Sequence, residues 1–168
     1  ATIGGSLTLN GPANTSITQA SVNLTAGNNL TVSTPISTSG NADLKAGGTL
    51  TLNKAVSSSG GNITLQAGHF VNNVGASALS ATGTGNTWQV WSTNTDPFNT
   101  DPAIGDVRNG LAFDFKQYGA SYGTSTVLGT GNGMFYSITP SLDVALVGTV
   151  VKTYDGLVTA SLTSGNYS

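Results

Sequence analysis

An internal repeat is the feature of this sequence that most constrains its fold. Residues 43–52 reproduce the pattern of residues 23–32, and a third copy begins at Ile63, one residue later than the offset of the first two requires. The extra residue fits the doubled glycine at 60–61, and a degenerate copy lies at 5–10. A fixed period of this length is typical of solenoid proteins, whose repeats are stable only when stacked.

Within each copy the apolar residues alternate with polar residues, which predicts short strands and not helices. One copy cannot bury its inward face alone, so we expect each strand to pair with its equivalent one coil away. Leu24, Leu44 and Leu65 should then form one inward column. The predicted fold is all-β: a right-handed parallel β-helix of roughly 20 residues per coil, with an irregular, aromatic-rich capping region.

Two further columns follow from the same stacking. Glycines recur at one corner of each predicted coil, where we expect positive φ angles, which glycine adopts at little cost. These glycines are Gly27, Gly47 and Gly68. Threonines recur on the outward face, where they either offer a flat ligand-binding surface or reflect strand propensity and Thr–Thr hydrogen bonding. These threonines are Thr8, Thr31 and Thr51.

The composition limits the partners of the chain. Charged residues make up 7% of it and the net charge is −2, so we expect no binding to nucleic acid. The absence of cysteine excludes disulfides and thiolate metal sites. No apolar run approaches the roughly 18 residues of a membrane span, so we expect no membrane insertion. The strand-like sequence at Ala1 indicates a mature or excised fragment.

The aromatic residues divide the chain, because all but one of them lie after residue 85. We predict β-helix coils over residues 1–82 and terminal coils with a cap over 83–140. Residues 141–168 are either the start of a C-terminal β module or strands packed on the cap. A cap is expected because the last coil of a β-helix exposes unpaired backbone groups, and aromatic side chains cover much area per residue.

Several motifs carry a family resemblance. The coils share a Leu-x-Ala-Gly-x-x-Leu-x-Leu pattern, and a Lys-Thr-Tyr-Asp-Gly signature lies at 152–156. Together with segments 87–93, 114–119 and 131–136, they resemble the end of the β-helical shaft of filamentous haemagglutinin-type exoproteins, followed by the start of a Tyr-Asp-Gly-type β module. The resemblance implies a large adhesin of a Gram-negative bacterium, exported by two-partner secretion. The secretion domain of that family is not matched.

Charged side chains are too sparse on the predicted coils for acid–base catalysis. The coils carry only Asp43, Lys45 and Lys54, whereas such catalysis needs convergent titratable groups. The one histidine, His69, follows a corner glycine and is interpreted as structural or surface-exposed. We therefore predict no enzymatic activity, no catalytic residue and no cofactor. A β-helix carbohydrase is the least favoured alternative.

One loop carries a metal-binding hypothesis. A Thr-Asp-Pro motif occurs twice between residues 95 and 102, and its carboxylates and amides would suit the oxygen coordination of Ca²⁺. The candidate ligands are Asp96, Asn99, Asp101 and Asp106. The favoured alternative is a series of Asx-type turns next to proline, which needs no metal.

The aromatic half carries a ligand-binding hypothesis. Seven aromatic residues could form a platform that stacks on a sugar: Trp88, Trp91, Phe98, Phe113, Phe115, Tyr118 and Tyr122. Trp88, Trp91 and Tyr118 are the candidate ligand-binding residues, although a regular strand would turn the two tryptophans to opposite faces. The favoured alternative is that these rings form the core of the cap.

The sequence and the resemblance together predict a non-catalytic shaft segment of a bacterial surface adhesin, secreted or held at the cell surface of a Gram-negative organism. The expected export partner is an outer-membrane two-partner-secretion transporter. The alternative is a module that binds host glycan or receptor through its aromatic half.

Overall fold

The computed structural model describes residues 1–12, 15–141, 145–147, 156 and 163–166. The regular secondary-structure elements of these residues are all strands, apart from a 3₁₀ turn at Ser164–Asn166. The strands are β1 (Thr2–Ile3), β2 (Leu7–Leu9), β3 (Ile17–Gln19), β4 (Val22–Ala26), β5 (Leu30–Val32), β6 (Ile36–Thr38), β7 (Ala42–Ala46), β8 (Thr49–Leu52), β9 (Val56–Ser58), β10 (Ile63–Ala67), β11 (His69–Asn72), β12 (Leu79–Ala81), β13 (Trp88–Ser92), β14 (Phe115–Tyr118) and β15 (Gly133–Tyr136).

Equivalent strands of consecutive coils pair in parallel and build three sheets. Sheet A has the order β1-β4-β7-β10-β13-β15-β14, sheet B the order β2-β5-β8-β11, and sheet C the order β3-β6-β9-β12. The chain is thus a β-solenoid of about 7 turns with about 20 residues per turn. The predicted all-β, parallel coil architecture is confirmed.

The predicted inward column exists and extends beyond the repeats. Leu24 pairs with Leu44, Leu44 pairs with Leu65, and the column continues through Val90 to Met134. The side chains from Leu44 onward are 1% exposed or less. Full burial of each such side chain stabilises the fold by about 1.5–3 kcal/mol. The outward threonine column is also present, since Thr8 pairs with Thr31 and Thr31 with Thr51.

The corner glycines are required for a reason other than the predicted one. Gly27, Gly47 and Gly68 do not have positive φ angles; the prediction is wrong on this point. They are needed because the backbones of adjacent coils approach closely at this corner. A Cβ on Gly47 would overlap the carbonyl oxygen of Gly27, and one on Gly68 would lie 2.7 Å from the carbonyl oxygen of Gly47.

The regular winding changes after β13. Strand β15 pairs in parallel with β13 on one side and with β14 on the other. The last of the described strands therefore lies between its two predecessors. Among the described strands, β14 thus lies at the end of sheet A, and its Phe115 and Gln117 continue the outward face of the sheet.

Segment 105–108 covers the free edge of β11 in sheet B. The Asn72 N–H donates to the Val107 carbonyl at 2.9 Å, and the Val107 N–H donates to the Phe70 carbonyl at 2.8 Å. The Phe70 N–H donates to the Asp106 carboxylate at 2.9 Å. These bonds satisfy backbone groups that an open end would leave unpaired, so this segment caps sheet B.

The predicted third region, 141–168, lies mostly outside the described residues, and so does most of the Lys-Thr-Tyr-Asp-Gly signature. Over the part of the chain that is described, no helix is both long enough and apolar enough to cross a membrane.

Candidate functional site

Trp91 lies at the centre of an aromatic cluster on the outward face of sheet A. Its ring stacks on the Phe135 ring at a centroid distance of 3.8 Å and an interplanar angle of 8°. The Tyr122 ring meets it edge-on at 5.5 Å, and the indole N–H donates to the Gln89 side chain at 3.1 Å. Trp91 is consequently only 5% exposed, and its face is not available to a ligand.

Trp88 points in the opposite direction, into the core of the solenoid. It pairs with Ile63 of the coil below and is 3% exposed. The two tryptophans therefore occupy opposite faces of β13, and both are covered by their own chain. Of the three residues singled out for ligand binding, Tyr118 alone is substantially exposed, at 38%. Ligand binding by these three stays a prediction.

Tyr118 closes the end of the stack together with Phe98. The Tyr118 ring lies over the buried Tyr136 ring at 5.7 Å and meets Phe98 at 6.0 Å. The Lys116 ammonium lies 5.7 Å from the Phe98 ring centroid, a distance typical of a cation–π contact. The last layer of the core is thus aromatic, and two cations, Lys116 and Arg108, lie at its margin.

The loop between β14 and β15 folds back over the outward face of sheet A. The Gln117 side chain holds this loop by donating to the Thr126 carbonyl at 2.8 Å and accepting from the Leu128 N–H at 3.0 Å. Tyr122 lies in the first part of this loop and is 49% exposed. It belongs to the set of aromatic residues that the sequence suggests for sugar stacking. It stands in a stretch rich in Gly, Ser and Thr, a composition typical of an exposed loop.

Two adjoining cavities lie beneath Tyr122, each of about 250 Å³. Lys45, Gln66 and Tyr122 line both of them. We name this feature the Tyr122 groove and define it by Asn23, Thr25, Asp43, Lys45, Gln66 and Tyr122. All except Tyr122 belong to strands β4, β7 and β10, so the groove crosses successive coils.

Three polar side chains of the groove have no partner within the described part of the chain. No hydrogen bond or ion pair joins the side chains of Asp43, Lys45 or Gln66 to any other described residue. The side-chain amides at the nearby corner before sheet A, in contrast, are hydrogen-bonded from one coil to the next. Asn41 Oδ1 accepts from the Asn62 N–H at 3.0 Å, and Asn62 Oδ1 accepts from the Thr87 N–H at 2.9 Å. The groove side chains are therefore available to an external partner.

The calcium loop is built from Asx-type turns. The Asp96 N–H donates to Asn94 Oδ1 at 3.0 Å, the Asp101 N–H to Asn99 Oδ1 at 2.9 Å, and the Ala103 N–H to Asp101 Oδ1 at 2.9 Å. Within the described ranges no group of three or more His, Cys, Asp or Glu residues could hold a metal ion. Asn99 and Asp101 thus use side-chain oxygens to bind backbone N–H groups of the loop, while the Asp96 carboxylate accepts from the Asn99 amide at 2.7 Å.

Asp106 stands apart from the other three candidates. Its Oδ1 accepts from the Phe70 N–H and also from the Asn94 amide at 3.1 Å. Its Oδ2 is buried without a hydrogen-bond partner, as is the hydroxyl of Tyr136. Burial raises the pKa of Tyr136 to about 12, with Asp106 adding to the rise and Arg108 opposing it. This carboxylate and this phenol are part of the cap interior.

His69 fits the structural interpretation. It is half-buried at the start of β11, and its Nε2 lies 2.9 Å from the Gly105 carbonyl oxygen. The contact ties the last regular strand of sheet B to the capping segment.

The fold places this chain in the class of parallel β-solenoids. A scan against protein-family models finds no match, and searches of curated proteins and of solved structures find none.

Proposed function

We propose that the chain is a non-catalytic shaft segment of a secreted bacterial surface adhesin, in which a stiff stack of coils supports cell adhesion. The observation that carries this proposal is the parallel pairing of equivalent strands from coil to coil, through β13 in sheet A, β11 in sheet B and β12 in sheet C. Each coil is stabilised mainly by its neighbours, so the stack extends along one axis by about 4.8 Å per coil. An architecture of this kind suits a spacer better than a compact enzyme.

The composition also supports export in an unfolded form. Few charges and no disulfides allow a chain to pass through a pore, and coils that stack one at a time outside can prevent its return. Under this proposal the partner during export is an outer-membrane two-partner-secretion transporter, and the location is the surface of a Gram-negative cell or its surroundings. The resemblance of the coil motif to haemagglutinin-type shafts supports both assignments.

An export assay with matched deletions tests the shaft proposal. The chain is fused between a two-partner secretion domain and a C-terminal tag, in cells that carry the cognate transporter. Deletion of residues 24–43 joins Asn23 to Leu44 and removes one whole coil, so the ladders re-form. Deletion of residues 24–33 removes half a coil, so the segment before the deletion can no longer pair in register with the coils after it.

The wild-type chain and the whole-coil deletion should both deliver the tag to the outside in folded, protease-resistant form. The half-coil deletion should not. Retention of the wild-type chain inside the cell, or equal failure of the two deletions, would contradict the proposal.

A second candidate function is ligand binding by the aromatic half. The observation that favours it is the free groove beneath the half-exposed Tyr122, and not the two tryptophans, which are buried. A β-helix carbohydrase remains the third proposal; polysaccharide turnover, including of pectin-like substrates, would be its evidence.

A further inference from the structure

The Tyr122 groove combines an aromatic ring, free polar groups and a partly open cleft. Each of its two adjoining cavities has a volume of about 250 Å³. This volume is close to the lower end of the range of about 300–1,000 Å³ that small-molecule sites occupy. A groove with a few convergent polar groups is the default place to look for a ligand.

The ring of Tyr122 is held in position and still accessible. Its edge-on contact with Trp91 at 5.5 Å and 79° fixes it against the sheet, and Trp91 is itself fixed by its stack on Phe135. Tyr122 remains 49% exposed. A rigid ring of this kind offers a large contact area at little cost in conformational entropy.

The polar groups of the groove supply both donors and acceptors. Asn23 and Gln66 each carry an amide, which donates and accepts, while Thr25 adds a hydroxyl. Lys45 donates and the carboxylate of Asp43 accepts. A ligand that carries many hydroxyl groups, each able to donate and accept, matches this mixture.

The charges favour a neutral ligand. Asp43 and Lys45 stand two residues apart on the same face of β7, a separation of about 7 Å along the strand, and no other ionisable side chain except Tyr122 is among the residues that line the two cavities. An anionic ligand would meet Asp43 as well as Lys45. The charges of the two side chains therefore cancel, and the groove has no net charge.

The direction of the groove favours a linear ligand. Its walls come from β4, β7 and β10, with Trp91 of β13 at one end. Three strand spacings correspond to roughly 14 Å along the solenoid axis. The groove lies on the face of sheet A, where the backbone groups are already paired between strands, so an extended peptide would find no strand edge to join.

We propose that the Tyr122 groove binds a short, neutral, linear oligosaccharide along the solenoid axis, with one sugar ring stacked on Tyr122. This inference rests on the second proposed function, ligand binding, and is independent of the shaft proposal. It moves the binding site from the predicted Trp88, Trp91 and Tyr118 to the outward face of the regular coils.

Glycan-array screening of the purified chain, followed by calorimetric titration, tests the inference. The array carries neutral and anionic oligosaccharides, and a peptide array is screened in parallel. The strongest neutral oligosaccharide is then titrated into four variants. Tyr122→Ala should weaken binding by up to about tenfold, the value of one aromatic contact. Tyr122→Phe keeps the ring and should bind nearly as the wild type does.

Gln66→Ala tests the groove floor and should weaken binding without any change to the aromatic cluster. Tyr118→Ala is the matched control, since it removes a tyrosine of similar exposure at the end of the stack and should leave binding unchanged. Circular dichroism confirms that each variant is folded. Together the variants separate the groove from the end of the stack.

Four results would overturn the inference, and each refutes a different part of it. Loss of binding in Tyr118→Ala with full binding in Tyr122→Ala would move the site and leave the ligand-binding function standing. Selective binding of anionic glycans would refute the neutral class. A peptide signal that Tyr122→Ala abolishes, without a glycan signal, would refute the ligand class. An array with no bound glycan or peptide would end the ligand-binding function itself.

Discussion

Gly47 lies so close to Gly27 of the preceding coil that a single methyl group on it would overlap the carbonyl oxygen of Gly27. The two backbones are joined there, since the Gly47 N–H donates to the Ala26 carbonyl at 3.0 Å. Close approach of coils at this corner is therefore part of what holds the stack together.

The first expected outcome concerns this contact. Gly47→Ala should lower the free energy of unfolding by about 1–3 kcal/mol, the usual cost of overpacking a site that cannot relax. Gly5→Ala is the matched control, because a Cβ there has no heavy atom within 4 Å. The control should be neutral or slightly stabilising, through the unfolded chain. Urea denaturation measures both; equal stability of the two variants would contradict the close-approach explanation.

The second expected outcome concerns the cap on sheet B. Asp106→Ala removes the acceptor of the Phe70 N–H and leaves a part-buried donor unpaired, at a cost of about 1–3 kcal/mol. Hydrogen exchange at the Phe70 amide should become roughly tenfold faster for each 1.4 kcal/mol lost. Asp106→Asn keeps an acceptor oxygen and should have a smaller effect.

Asp96→Ala is the control for this prediction, because Asp96 lies in the same loop and its carboxylate accepts only from the exposed Asn99 amide. Exchange at Phe70 should not change in that variant. Unchanged exchange in Asp106→Ala would show that segment 105–108 does not protect the edge of β11.

The third expected outcome is a pH dependence from Tyr136. The unfolded phenol loses its proton near pH 10.0, whereas burial keeps the folded one protonated until about pH 12. Between these values the unfolded state binds fewer protons, so the free energy of unfolding should decrease as pH rises, by on the order of 2 kcal/mol. Tyr136→Phe should lack this component.

Tyr136→Phe should also be more stable than the wild type at neutral pH, by about 1 kcal/mol, because it removes a buried hydroxyl without a partner. Tyr118→Phe is the control, since its hydroxyl belongs to a residue that is 38% exposed. Chemical denaturation from pH 7 to 12 compares the three proteins. A Tyr136→Phe curve parallel to the wild-type curve would refute the assignment.

The fourth expected outcome concerns calcium. Asn99 and Asp101 already use their oxygens in Asx-type turns, so the loop keeps its shape without a metal. Calorimetric titration with Ca²⁺ should give no saturable heat and no rise in Tm. A saturable heat that Asp101→Asn abolishes would restore the calcium hypothesis.

The coils could be predicted because the residue pattern that defines them is local and recurs along the sequence. Alternation around Leu24 and Leu44 identifies strands, and the offset between the two identifies their partners. The position of the corner glycines is predicted correctly, but the predicted reason for them is wrong. The close approach of Gly47 to Gly27 depends on how two coils stack, and neither residue has a positive φ angle.

The non-repeating half could not be predicted in the same way. Nothing in residues 115–136 indicates that β15 would lie between β13 and β14, because that order depends on contacts between distant segments. The burial of Trp91 follows from it, since Phe135 stacks on Trp91 only in that order. The Tyr122 groove was missed because it joins a loop to the faces of earlier coils.

Methyl–methyl nuclear Overhauser effects in a leucine-labelled sample test the coil stack most directly. Leu24 pairs with Leu44 and Leu44 pairs with Leu65, at one strand spacing of about 4.8 Å per step. Cross-peaks should therefore join Leu24 to Leu44 and Leu44 to Leu65, with none or only a weak one between Leu24 and Leu65. Absence of the first two cross-peaks, or a dominant one between Leu24 and Leu65, would contradict the solenoid.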